Sequence, residues 1–205
     1  MSRGELLCTG LLIEYASVAW MIVECVVSIG VGFLAGSLAL LAFGGDSFIE
    51  LISSYTVAAY IRRSLANPTG DRRELGAERV EWISALLLAL LVPVIALGGI
   101  YSYFIGREPE SSLAGISIAA GAVVIMPALW FEKRRLGIAA DCLPLSIDAA
   151  ESATCFLMSV ALLGGLLINY FLNLWWVDYA ATAIILVFVA KEAMESIREV
   201  RKRNG

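Results

Sequence analysis

Two carboxylates interrupt an otherwise apolar stretch of the chain. Asp46 and Glu50 lie within the segment SLALLAFGGDSFIELISS, residues 37–54. Because positions i and i+4 share one face of an α-helix, both acids are predicted to project the same way. A charged side chain at the centre of a bilayer costs about 2.5–3.5 kcal/mol on insertion scales. We therefore interpret the pair as a functional site that faces protein or water rather than lipid.

The composition is that of a membrane protein with several spans. The chain has 205 residues, of which 60% are hydrophobic and 17% charged, and its mean hydropathy is +0.81. A soluble domain would carry about 25% charged residues. No His is present, which excludes every His-dependent site, and the first residues, MSRGELLCTG, do not resemble a cleavable signal peptide. Four cysteines are interpreted as core residues or ligands rather than a disulfide framework: Cys8, Cys25, Cys142 and Cys155.

Six segments are long enough to cross a membrane. About 20 apolar residues span the hydrocarbon core as a helix. We predict an all-α fold in which residues 1–205 form a single transmembrane domain, without a soluble domain after helix 6. The helices are expected near residues 12–36, 38–61, 81–104, 112–132, 139–166 and 174–196.

The distribution of basic residues predicts the orientation. Of the 15 Lys and Arg residues, all but Arg107 fall at one end of the predicted bundle. Basic residues concentrate in cytoplasmic loops, so both termini are predicted to be cytoplasmic in a multi-pass protein of the inner cell membrane. Lys133, Arg134 and Arg135 are expected in the loop between helices 4 and 5. Asp178, at the start of helix 6, is expected to stabilise that helix's own N-terminus.

Helix 5 repeats the chemistry of helix 2. It contains the run IDAAESATC, in which Asp148, Glu151 and Cys155 follow one another. When the two helices are aligned, Asp46 matches Glu151 and Glu50 matches Cys155. Helices 2 and 5 are predicted to run antiparallel, as in transporters built from inverted repeats that bind substrate near the midplane.

These donors predict a site for a divalent cation. Asp46, Glu50, Glu151 and Cys155 are the expected ligands. Asp148 is a fifth candidate, and Glu24, at mid-depth of helix 1, is a further neighbour. Carboxylates suit Mn²⁺ and Fe²⁺, whereas a thiolate favours Zn²⁺. Metal ligands are deprotonated, so binding releases protons, which is the coupling that a metal/proton antiporter needs. A proton relay without metal, and polar contacts that join helices, are the alternatives.

The same residues resemble a known family. In the transmembrane domain of cation diffusion facilitators, helices 2 and 5 each carry a run like ADAxHSxxD, whose His or Asp and final Asp are ligands. Here AFGGDSFIE places Asp46 and Glu50 on those positions, and IDAAESATC places Glu151 and Cys155 there. The start of helix 6, WWVDYAA, is also similar. The resemblance implies export of Zn²⁺, Mn²⁺ or Fe²⁺, generally in exchange for protons.

The chain departs from the family pattern in several places. The mixed His/Asp site is absent, Phe43 replaces the first Asp of helix 2, and Cys155 replaces an Asp. The cytoplasmic domain that usually follows helix 6 is not expected, so a homodimer would rest on membrane helices alone. The metal selectivity of the family therefore cannot be transferred to this chain.

The sequence thus predicts a divalent-metal transporter that works as an exporter by proton-coupled alternating access. The expected partners are the transported metal, protons, the lipid bilayer and a second copy of the chain, with no nucleic acid and no permanently bound cofactor. The alternative is a membrane protein that binds or senses metal without transporting it. An enzyme is not expected, because the sequence shows no convincing pair of nucleophile and base and no HExxH motif.

Overall fold

The computed structural model describes residues 2–66 and 77–204, and every regular element in this part of the chain is an α-helix. The all-α fold class is therefore confirmed. The helices are α1 (Arg3–Ala35), α2 (Leu38–Ala66), α3 (Ala77–Phe104), α4 (Leu113–Ala139), α5 (Leu143–Leu172) and α6 (Trp176–Asn204).

All six helices extend beyond the predicted segments at one end, and the extensions of α1 and α4 have identifiable causes. α1 begins at Arg3 because Ser2 and Glu5 form a capping box: Glu5 N–H donates to Ser2 Oγ (3.3 Å), and Ser2 N–H donates to Glu5 Oε2 (2.7 Å). α4 continues to Ala139, and it ends only where Asp141 adopts a left-handed conformation with φ 49°. Lys133, Arg134 and Arg135 are therefore helical, and the prediction that they lie in a loop was wrong.

The bundle has the surface of a multi-pass membrane protein. Within the described residues, five helices are long and apolar enough to cross a bilayer. Large apolar side chains such as Leu34 and Phe171 point outwards, as expected for contact with lipid. In α6, the uncharged run covers only residues 179–190, because Asp178 precedes it and Lys191 follows it. Its neighbours in the bundle are α2, α3 and α5.

The apolar core has two parts. The larger part is shared by all six helices and surrounds Phe43, Met126 and Met158. The smaller part, near Ile61 and Leu145, lies at the end of the bundle that holds the N-terminus. Arg3 is at that end too, where its Nε donates to the carbonyl oxygen of Ala140 (2.9 Å).

Close packing of α1 on α2 positions the acids of these helices. A Cβ on Gly44 would lie 2.8 Å from Ile29 Cγ1 and 3.0 Å from the Ile29 backbone nitrogen. Only glycine permits this approach of backbone to backbone. Gly44 lies one turn before Ser47, which contacts α1 through Glu24, so the close approach draws this face of α2 towards Glu24.

Asp178 joins α6 to the start of α2. Its Oδ1 accepts a hydrogen bond from Ser37 Oγ (2.5 Å), and its Oδ2 accepts from the backbone N–H groups of Leu38 (3.1 Å) and Ala39 (3.5 Å). The side chain therefore satisfies backbone donors at the N-terminus of α2, as a capping residue does. Asp178 lies in the first turn of α6, as predicted, and the donors that its side chain satisfies belong to the start of α2.

Candidate metal site

Three of the predicted ligands converge between α2 and α5. One ligand atom each from Asp46, Glu50 and Cys155 lies within 4.8 Å of the other two, and all three side chains are buried. We call these residues the three-ligand cluster. Asp46 and Glu50 share a face of α2 because they are one turn apart, and Cys155 reaches them from the fourth turn of α5. Two carboxylates and a thiolate can coordinate a divalent cation.

Glu50 offers an oxygen that is free to act as a ligand. Its Oε1 accepts a hydrogen bond from Ser152 Oγ (3.3 Å). Its Oε2 is buried, and none of the described residues donates a hydrogen bond to it. A buried polar atom without a partner costs free energy and is uncommon in native proteins. A cation bound at the cluster would satisfy this oxygen.

Glu24 supports the cluster from α1. Its Oε1 accepts from Ser47 Oγ (2.6 Å) and from Cys155 Sγ (3.6 Å), and its Oε2 accepts from Trp20 Nε1 (2.6 Å). Both oxygens are therefore engaged by protein donors. Ser47 follows Asp46 directly in the chain, so Glu24 contacts both helices that carry the cluster. Glu24 therefore lies beside the three-ligand cluster, and the hydrogen bond that it accepts from Cys155 Sγ can orient that side chain.

Glu151 lies near the cluster without joining it. Its carboxyl group lies near Ser53 of α2 and near enough to Asp46 for the two acids to interact electrostatically. Its Oε2 is buried, and no hydrogen bond to this atom comes from the part of the chain that the structure describes. Glu151 is thus close enough to change the electrostatic potential at the cluster.

Asp148 belongs to a different group of charges. Its carboxylate accepts hydrogen bonds from Ser54 Oγ (2.9 Å) and from the ammonium group of Lys133, with which it forms a buried ion pair. Lys133 also lies 3.6 Å from Glu14 Oε2. The structure therefore separates Asp148, which is paired with a lysine, from the three-ligand cluster.

The comparisons with known proteins identify the family of this chain. The family model described as the cation efflux transmembrane domain matches residues 15–203. The chain belongs to the cation efflux family. The resemblance to cation diffusion facilitators is thereby confirmed, and a family of transporters supports the expectation of a protein that is not an enzyme.

One relative of the chain is a named metal efflux protein. The chain is 25% identical over 187 residues to the manganese efflux system protein MneS of Bacillus subtilis (strain 168). The match covers 89% of this chain and 64% of MneS. The chain thus spans less than two thirds of the length of this relative.

Three polar residues lie near the cluster without having been predicted there: Lys133, Ser152 and Glu192. Glu192 of α6 is close enough to repel the negative charges of Asp46, Glu50 and Glu151. The burial of Lys133 could have been predicted from the sequence. Its position continues the face of α4 that Met126, Leu129 and Leu136 define at helical spacing, and this face is buried.

Proposed function

We propose that the chain exports a divalent metal cation in exchange for protons, and that the cation binds at the three-ligand cluster. The convergence of ligand atoms from Asp46, Glu50 and Cys155, together with the unpartnered Glu50 Oε2, is the observation that carries this proposal. Ionisable groups inside a membrane protein mark ion pathways when they face the interior of the bundle. Membership of the cation efflux family supports transport over sensing alone.

The donor atoms favour a borderline ion. Carboxylate oxygens suit Mn²⁺ and Fe²⁺, and a thiolate makes Zn²⁺ and Cd²⁺ acceptable as well. The relative MneS is named for manganese efflux. We therefore propose Mn²⁺ as the first substrate to test, with Fe²⁺ and Zn²⁺ next. Glu151 and Glu24 are proposed to support the site, the first by its charge and the second by orienting Cys155.

Proton exchange follows from the chemistry of the ligands. Carboxylates and a thiolate bind metal in their deprotonated forms, so binding releases protons and metal release takes them up again. Alternating access would expose the cluster to one side of the membrane and then to the other. Each cycle would then move metal and protons in opposite directions.

Flux measured in proteoliposomes tests this proposal. We expect Mn²⁺ entry, reported by an enclosed metal-sensitive dye, to be accompanied by proton movement in the opposite direction, reported by a pH dye. The control is the same vesicles without protein, and Fe²⁺, Zn²⁺ and Cd²⁺ are compared under identical conditions. Metal binding without flux would contradict transport and would favour the sensor alternative. Flux without proton movement would contradict the coupling alone.

A further inference from the structure

A lysine ammonium group is buried among α1, α4 and α5. Lys133 is 0% exposed, and it lies less than two turns before α4 ends at Ala139. Its Nζ donates to Ser17 Oγ (2.7 Å), to Ser152 Oγ (3.2 Å) and to the Asp148 carboxylate. These contacts use all three donors of the ammonium group.

Ser152 connects this lysine to the three-ligand cluster. A serine hydroxyl has one hydrogen to donate and lone pairs that accept. Because its oxygen accepts from Lys133, the Ser152 hydrogen is directed to the remaining acceptors. These acceptors are Glu50 Oε1 (3.3 Å) and the backbone carbonyl of Asp148 (3.2 Å). The single hydrogen serves one of these acceptors at a time. When it is directed to Glu50, a continuous chain of hydrogen bonds runs from the ammonium group to a candidate ligand.

A second branch holds the same stretch of α2. Asp148 accepts from Lys133 and also from Ser54 Oγ (2.9 Å), and Ser54 lies one turn beyond Glu50 on α2. The lysine thus reaches α2 both through Ser152 and through Asp148. Both connections end within one turn of Glu50, so a shift of the ammonium group would change the orientation of its carboxylate.

We propose that Lys133 is a positioning residue for the metal site and that it acts through Ser152 on Glu50. This inference rests on the proposed function, since it assigns Glu50 to the site that binds metal. The lysine holds Ser152 as a donor towards Glu50 Oε1, and Oε2 receives no hydrogen bond from the described residues. Residues that orient a metal ligand typically change metal affinity by 10–100-fold when they are replaced.

A mutant cycle on Mn²⁺ affinity tests this inference. Ser152→Ala is expected to weaken Mn²⁺ binding by about tenfold or more in the otherwise unchanged protein. In the background Lys133→Met with Glu14→Gln, the same substitution is expected to weaken binding by less than about twofold, because nothing then holds Ser152 as a donor to Glu50. This background preserves the formal net charge of the group formed by Lys133, Glu14 and Asp148. Any direct effect of the missing lysine on Mn²⁺ affinity cancels, because the proteins with and without Ser152→Ala are compared in the same background.

Ser159→Ala is the matched control. Ser159 is a buried serine on the same helix, and its hydroxyl donates to the backbone carbonyl of Phe156 (2.8 Å). We expect this variant to bind Mn²⁺ like the unchanged protein. Affinity is measured in detergent by competition with a fluorescent metal indicator, after size-exclusion chromatography has shown monodisperse protein.

A second background keeps the inference testable if the first does not fold. Lys133→Met with Asp148→Asn neutralises both members of the direct ion pair, and Ser152→Ala is again expected to have little effect in it. An equal loss of affinity from Ser152→Ala with and without Lys133 would overturn the proposal. Failure of both backgrounds to yield folded protein would also overturn it, because Lys133 would then be structural. If the unchanged protein bound no Mn²⁺, the proposed function itself would fail.

Discussion

Replacing Glu50 by Gln is expected to weaken the binding of divalent metal by about 100-fold or more, since loss of even an outer-shell partner costs 10–100-fold. The amide has the shape of the carboxylate and retains an oxygen that can accept from Ser152. The substitution therefore removes mainly the negative charge and one ligand oxygen. Transport should fall about tenfold at a metal concentration ten times the dissociation constant of the unchanged protein, because occupancy of the site falls by that factor.

Asp46→Asn is expected to act in the same way, because Asp46 supplies the other carboxylate of the cluster. The matched control is Glu132→Gln, which removes a partly exposed carboxylate of α4 that pairs with Arg135 (3.1 Å). The control should bind and transport metal normally, since exposed ion pairs contribute little. Normal metal affinity in both Glu50→Gln and Asp46→Asn would contradict the assignment of the site.

Replacing Asp178 by Ala is expected to lower the free energy of unfolding by about 3 kcal/mol. The substitution leaves Ser37 Oγ and the backbone N–H groups of Leu38 and Ala39 without their acceptor, in a region that excludes water. For a chain of this size, the melting temperature should fall by roughly 6–12 °C. Thermal unfolding in detergent, followed by circular dichroism, measures the change.

Two further variants make the Asp178 experiment specific. Asp178→Asn retains one acceptor oxygen, so its melting temperature should lie between those of Asp178→Ala and the unchanged protein. Glu108→Ala removes an exposed carboxylate from the loop between α3 and α4, and its melting temperature should not change. A melting temperature for Asp178→Ala equal to that of Glu108→Ala would show that the capping contacts do not stabilise the bundle.

The helices were predictable because their signal is local. A long apolar run reports a membrane span whatever surrounds it. The spacing of Asp46 and Glu50 likewise places both on one face of α2 without knowledge of any other helix. The match between helix 2 and helix 5 also predicted Cys155 as a ligand, and the structure brings Cys155 to the same cluster.

Contacts between helices were harder to predict, because they depend on how each helix is rotated in the bundle. Asp148 and Cys155 both lie on α5, yet only Cys155 meets the acids of α2 within the three-ligand cluster. Lys133 stands in a run of basic residues that resembles a cytoplasmic loop, and its partners Glu14 and Asp148 come from other helices. For the same reason, the acceptor role of Asp178 towards α2 could not be read from the start of α6.

X-ray absorption spectroscopy of the Zn²⁺-loaded protein tests the three-ligand cluster most directly. The cluster predicts one sulfur ligand at about 2.3 Å, together with oxygen ligands at about 2.0–2.2 Å. The sulfur signal should disappear in Cys155→Ser. It should persist when Cys8, Cys25 and Cys142, the other free cysteines, are all replaced by Ser. A sulfur ligand that remains in Cys155→Ser, or a metal coordinated by oxygen alone in the unchanged protein, would contradict the cluster as the metal site.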